Sequence, residues 1–258
     1  MNTLYLKPNH IVGHRGARAE APENTLGGFR HLRQLKIEKV ELDVHLSLDQ
    51  KIMVVHDLNA LRTTGKNLPI NNTSSSVLQG LNAVEDFNQP WTLPEPIPTL
   101  NEVVQEWQHL EHIQIEVKPQ PTTKARQALV EHLARQCEAL KLTAKTAVIT
   151  SSDQAFLKLS KTINTLPHGL VADVNLEQPL EDAQTLGCEL LVLHYKRYTA
   201  AFAALCQVAA MPVSLWTVNN PEFANTAVSL GAQSIITDCP SIFLDWIQTH
   251  SEGHKNHG

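Results

Sequence analysis

The chain has 258 residues, 42% of them hydrophobic, which is enough for a sizeable core in one barrel or in two smaller domains. Its formal charge of −5 supplies no basic field for nucleic acid or an anionic membrane, and it opposes a phosphate-bearing ligand unless cations are concentrated locally. Four scattered cysteines, Cys137, Cys188, Cys206 and Cys239, form no CxxC pair. That argues against a structural zinc site and a disulfide framework, and leaves free buried thiols in a reducing compartment as the expectation.

The N-terminal MNTLYLKPNH lacks the basic start and long apolar run of a signal peptide, and no stretch reaches membrane-spanning length. The expected location is therefore cytoplasmic, with no integral membrane association; a homo-oligomer is left open. In chain order, short apolar runs then alternate with amphipathic segments. Ile11–Gly16 is the first run, and Asn24-Thr25 can cap a helix reaching about Lys36. Lys39–Leu46 is the second. From Leu58 to Pro98 there is no clear periodicity, which within a compact domain marks a functional insertion or lid. Thr99 and Glu102 have capping-box spacing. The run His112–Pro119 follows, then a helix opening at Thr122-Thr123 and extending through Leu140. Ala147–Ser152 precedes another helix start at Ser152-Asp153. His168–Val174, Glu189–Tyr195 and Pro212–Asn219 come next; Asn220-Pro221 opens a helix with proline at its first position, and Gly231 stops it. Ser234–Cys239 is the last run, and the tail from Ser251 is expected to fray. Eight strands alternating with about eight helices predict a TIM (β/α)8 barrel of one domain, 1–258, with a small insertion after the second strand at about 58–98. An open doubly wound sheet is the structural alternative.

The chemistry concentrates in Ile11–Asp57. Glu41 and Asp43 lie two apart in a strand, so both carboxylates project to one side. An isolated E-x-D pair is often solvated at a strand end, but Glu116 and Lys118 repeat the spacing on the next barrel strand. Three inward carboxylates make an all-oxygen site for a hard cation, Mg²⁺ or Ca²⁺. With thirteen histidines present, most are structural, and His109, His112, His132 and the tail histidines are read so. His14 and His56 differ because each ends an apolar run near the acidic cluster, suiting a general acid and base. Arg15 and Lys118 supply the local positive charge that a phosphate needs. Trp216 is either core or an aromatic wall for a substrate, and Glu23 either orders Arg15 or faces the site.

These blocks, HRGARAEAPENT, ELDVHLSLDQKIMVVHD, EPIPTLNEV, IEVKP, LWTVN and IITDCP, occur in an order that resembles the glycerophosphodiester phosphodiesterases, metal-dependent TIM-barrel hydrolases. The resemblance spans nearly the whole chain. It implies hydrolysis of a glycerophosphodiester to sn-glycerol 3-phosphate and an alcohol, by attack of water or of the glycerol 2-hydroxyl. It implies that His14 and His56 are the acid–base pair and that Glu41, Asp43 and Glu116 bind one divalent cation. Arg15 and Lys118 would contact phosphate, Glu23 and Asn24 match the ENT signature, and Trp216 matches an aromatic residue near the alcohol or glycerol group. One departure is Gln50, standing where the family commonly has glycine and so expected in a turn that glycine enters more easily. His45 shares the side of Glu41 and Asp43 and is read as a wall residue. A lysophospholipase D-like or other lipid phosphodiesterase on the same site is the second reading, with the insertion's leucines lining an apolar access route. A non-catalytic phosphodiester-binding barrel is the third.

Overall fold

The computed structural model describes residues 3–107 and 110–252; His109 and the tail histidines lie outside the described residues. Its strands, in chain order, are β1 (Ile11–His14), β2 (Lys39–Leu46), β3 (Ile52–Val54), β4 (His112–Val117), β5 (Ala147–Ser151), β6 (His168–Ala172), β7 (Leu190–His194), β8 (Val213–Trp216) and β9 (Ser234–Thr237). The helices are α1 (Leu26–Gln34), α2 (Leu61–Thr64), α3 (Ser75–Gln79), α4 (Leu100–Glu106), α5 (Thr123–Ala139), α6 (Gln154–Ser160), α7 (Pro179–Thr185), α8 (Ala200–Val208), α9 (Pro221–Ser229) and α10 (Pro240–Glu252).

Eight parallel strands run in the order β1-β9-β8-β7-β6-β5-β4-β2, and pairing of β1 with β2 closes the ring, as the alternation predicts. Most of the strands are apolar on both faces because both are covered, β2 and β4 being the ones that carry acidic residues inward. Val12, Val148, Val171, Leu190, Val192 and Ile236 form the barrel interior with Trp216. The alternate residues, among them Ile11, Leu42, Ile115 and Leu191, pack outward against helix residues such as Phe29, Leu133, Phe156 and Phe243. The four cysteines are free and buried, and burial pushes the Cys137 thiol up to about 12. No helix among the described residues is long and apolar enough to cross a membrane.

Helix starts follow the side chains that cap them. Thr25, Thr122, Asp153 and Asn220 each accept the backbone N–H three residues on, and Thr99 with Glu102 completes a capping box. The insertion is more ordered than its lack of periodicity suggested. Just before it, β3 pairs antiparallel with β2, within the apolar run that ends at His56. Two short helices, α2 and α3, follow it. They fold around a separate small core of Met53, Val55, Ala60, Ile70, Leu78, Ala83 and Ile97, against which Leu68 and Leu81 pack. In the β2–β3 turn Gln50 adopts φ 63°, the left-handed conformation expected there.

Candidate active site

The site is built at the carboxyl ends of β1, β2 and β4, where a barrel keeps its chemistry. Strand register sets the layout: His14 is level with Glu41, and Asp43 with Glu116. The turn after β1 folds back tightly. A Cβ on Gly13 would lie 2.0 Å from the Gly16 carbonyl oxygen, so only glycine admits that turn. Arg15 and Asn24 both take positive φ, 51° and 54°, conformations uncommon for side-chain-bearing residues and concentrated at functional sites. The backbone is clamped there: Arg15 N–H donates to Glu41 Oε2 at 3.1 Å, and Asn24 N–H donates to the Arg15 carbonyl at 2.9 Å.

Glu41, Asp43 and Glu116 each bring a carboxylate oxygen within 4.8 Å of the others. Burial, together with Asp43 and Glu116 beside it, pushes the Glu41 carboxyl well above its ordinary range. Glu116 is raised as well, by burial first, with Lys118 opposing. Asp43 goes the other way. Burial resists its charge, but Lys118 Nζ at 2.8 Å and Arg15 Nε at 3.2 Å outweigh it and hold the carboxyl far below the usual range. Asn24 Nδ2 also donates to Asp43 Oδ2 at 2.9 Å. Lys118 is shared, lying 2.5 Å from Glu116 Oε1. The buried Glu41 Oε1 has no hydrogen-bond partner. An orphaned oxygen inside a crowd of carboxylates fits a hard divalent cation, and the all-oxygen donor set agrees.

Each of the two histidines leans on an aspartate. The His14 Nδ1 lies 2.6 Å from Asp238 Oδ1, which leaves its Nε2 directed towards Glu41, 3.9 Å from Oε2. The His56 Nδ1 lies 2.6 Å from Asp57 Oδ1. Burial lowers the His56 pKa; Asp43 and Asp57 oppose the shift, and the Lys118 and Arg15 charges add to it. His45, buried on the same side as Glu41 and Asp43, has its Nε2 3.0 Å from the His56 carbonyl and so fixes the backbone there. Glu23 orders Arg15, accepting from its Nη1 at 3.0 Å. Trp216 makes its contacts with β7: its indole N–H donates to the Val192 carbonyl at 3.2 Å and its ring meets His194 edge-on at 5.3 Å.

Several residues here escape a reading of spacing. Asp238 is the aspartate of IITDCP, beyond the last strand, and Asn219 Nδ2 donates to its second oxygen at 2.9 Å. Asp57 adjoins His56 in sequence, a signal that was present but ambiguous. Arg62, the only arginine of the insertion, reaches Asp57 and Glu23. Glu95, also from the insertion and buried, accepts the Gly27 N–H at the start of α1 at 2.9 Å, and the Trp91 indole N–H at 3.2 Å. A Cβ on Gly27 would lie 2.2 Å from that carboxylate, so the glycine makes room for it.

The chain is similar in fold and sequence to several known proteins. A phosphodiesterase of Oleispira antarctica, solved in complex with the product sn-glycerol-3-phosphate, superposes with a TM-score of 0.79 at 23% identity, covering 92% of this chain and 96% of that one. The glycerophosphodiester phosphodiesterase of Thermotoga maritima gives 0.73 at 22% identity, covering 92% and 97%. In sequence, the glycerophosphodiester phosphodiesterase of Caldanaerobacter subterraneus is 23% identical over 239 residues, 92% of this chain and 97% of that protein. The family profile itself matches residues 14–242, from the first site histidine to the start of α10, and on that span the chain belongs to the glycerophosphoryl diester phosphodiesterase family.

Proposed function

We propose that this protein hydrolyses a glycerophosphodiester to sn-glycerol 3-phosphate and an alcohol. The observation that carries the reading is the set of three buried carboxylates flanked by Arg15 and Lys118, with Glu41 Oε1 left without a partner. Glu41, Asp43 and Glu116 would hold one Mg²⁺ or Ca²⁺. When bound, the cation supplies Lewis-acid stabilisation of charge on the phosphate oxygens.

Arg15 and Lys118 add fixed positive charge in a buried setting where it acts strongly on a phosphate. The two histidines divide the proton transfers. One takes the proton of the attacking hydroxyl as the new P–O bond forms, and the other gives a proton to the alkoxide as the old P–O bond breaks. Asp238 and Asp57 hold the Nδ1–H of each ring, which leaves each Nε2 to the substrate. Within the insertion Leu68, Leu78 and Leu81 fill its own core, whereas Leu58 and Leu61 stand half exposed, so the water-soluble alcohol is the first reading and a lipid the second.

The test is product release from glycerophosphocholine and from lysophosphatidylcholine, with EDTA and then with Mg²⁺ or Ca²⁺ restored. The expected result is metal-dependent release of sn-glycerol 3-phosphate from the first substrate, reduced about 10²- to 10⁴-fold in His14→Ala. A wild-type rate in His14→Ala or in Glu41→Ala removes the assignment.

A further inference from the structure

Arg62 sits in the insertion yet is the most heavily engaged side chain around the site. Its Nη1 and Nη2 donate to Glu23 Oε2 and Oε1 at 3.0 and 2.7 Å, a two-point grip on one carboxylate. Its Nε donates to Asp57 Oδ2 at 2.6 Å, and Nη1 also reaches Asp86 Oδ2 at 2.6 Å. Two of these partners lead directly into the chemistry. Asp57 presents its other oxygen to His56, and Glu23 presents Oε1 to Arg15.

We propose that Arg62 is a positioning residue that sets His56 through Asp57 and Arg15 through Glu23, so that the insertion is a working part of the active site. The proposal rests on the hydrolase reading above for what His56 and Arg15 do, though the placement itself does not depend on it. The guanidinium geometry is what the task requires. Glu23 carries three arginines, Arg15, Arg18 and Arg62, and Asp57 carries a histidine and an arginine. Only a planar fork with donors on several edges can bridge both acids, and a lysine ammonium cannot span them in the same way. With Arg62 gone, Asp57 keeps only the imidazole and is freed to turn, while Glu23 keeps Arg15 and Arg18 but loses its two-point grip. A displacement near 1 Å of a catalytic group costs on the order of 10²-fold in rate. The sequence hides this role because Arg62 lies in a segment without periodicity, and its partners come from three separate stretches.

The experiment compares Arg62→Met, Arg62→Lys and a control, Asp49→Ala. Asp49 clamps the β2–β3 turn to α3 by accepting from Ser75 N and Oγ at 2.7 and 2.6 Å, and touches nothing in the site. Each protein is measured for Tm, for kcat and KM on glycerophosphocholine with metal, and for histidine ¹⁵N signals. The expected result is a kcat loss of about 10²-fold in Arg62→Met with partial recovery in Arg62→Lys, while Asp49→Ala lowers Tm and keeps its kcat. His56 signals shift in Arg62→Met, and those of His168, bonded to Ser160 far from the site, do not. Unmoved His56 signals overturn the proposal even if the protein proves inactive on this substrate. So does a kcat that follows Tm across all three variants. A wild-type protein that fails on every glycerophosphodiester refutes the hydrolase reading, and the ¹⁵N comparison still decides the placement.

Discussion

Glu41→Gln offers the sharpest test of the metal cluster, because it should improve the metal-free fold while removing the function. Glu41 Oε2 accepts the Arg15 N–H, and Oε1 is buried without a partner among two further carboxylates. Glutamine keeps the acceptor and exchanges the orphaned oxygen for an amide donor, next to acids that can accept from it. An unsatisfied buried polar group costs about 1–3 kcal/mol, and loss of a like charge acts in the same direction. For a chain of this size 1 kcal/mol moves Tm by about 2–4 °C, so in EDTA the variant should melt about 2–12 °C above wild type. With a divalent cation at about 100 times its Kd, wild type gains about 2.7 kcal/mol, or about 5–11 °C, and the variant loses this gain. Scanning calorimetry in EDTA and then in Mg²⁺ or Ca²⁺ should therefore show the advantage shrink or reverse on adding metal, with turnover surviving only in wild type. A variant that melts below wild type in EDTA, or that keeps the full metal-induced rise, refutes the reasoning.

Two further outcomes follow from the same geometry. Metal binding should weaken in acid. Glu41 and Glu116 are held above the ordinary glutamate range, so the folded, metal-free chain keeps protons that the unfolded chain has released. That contribution is complete below the unfolded pKa and lost as pH rises through the folded values, whereas that of Asp43, held below its ordinary range, is lost as pH falls. Protons and metal compete for the two glutamates, so the metal-induced rise in Tm should be larger at about pH 8 than at about pH 5; an equal rise would count against those ligands. Gly13→Ala should be severely destabilising, because its Cβ would meet the Gly16 carbonyl at 2.0 Å and Leu32 Cδ2 at 2.4 Å, inside the turn that presents His14 and Arg15. A loss of about 1–3 kcal/mol or more is expected from overpacking, read as a fall in Tm, and a wild-type Tm would show that the turn relaxes freely.

What was legible in the sequence was whatever repeats or lies close along the chain. The strands announced themselves because residues covered on both faces must be apolar throughout, and the helix starts because a cap needs a particular side chain at one position. Glu41 with Asp43, and Glu116 with Lys118, were legible because strand parity alone puts each pair on one side. Asp238 was not: it pairs with His14 across 224 positions, and only closure of β9 onto β1 brings the two together. The insertion's order was hidden for another reason. Its core draws on Met53, Val55, Ile70, Leu78 and Ile97, whose spacing follows neither a helical nor a strand period.

The charge balance explains how an acidic protein can serve a phosphodiester. Around the site stand Glu23, Glu41, Asp43, Asp57, Asp86, Glu116 and Asp238, against Arg15, Arg18, Arg62 and Lys118. With each of these acids and bases charged the carboxylates prevail by three, and the raised carboxyls of Glu41 and Glu116 show where the excess is concentrated. The arginines on Glu23 and the lysine on Asp43 are already committed to carboxylates. They set the framework, and a phosphate would share Arg15 and Lys118 with these carboxylates. A divalent cation held by Glu41, Asp43 and Glu116 would offset most of that excess and share with Lys118 the neutralisation of Asp43 and Glu116. The cations of the chain orient the site, and a divalent ion held by the three carboxylates would add the further attraction a phosphate needs.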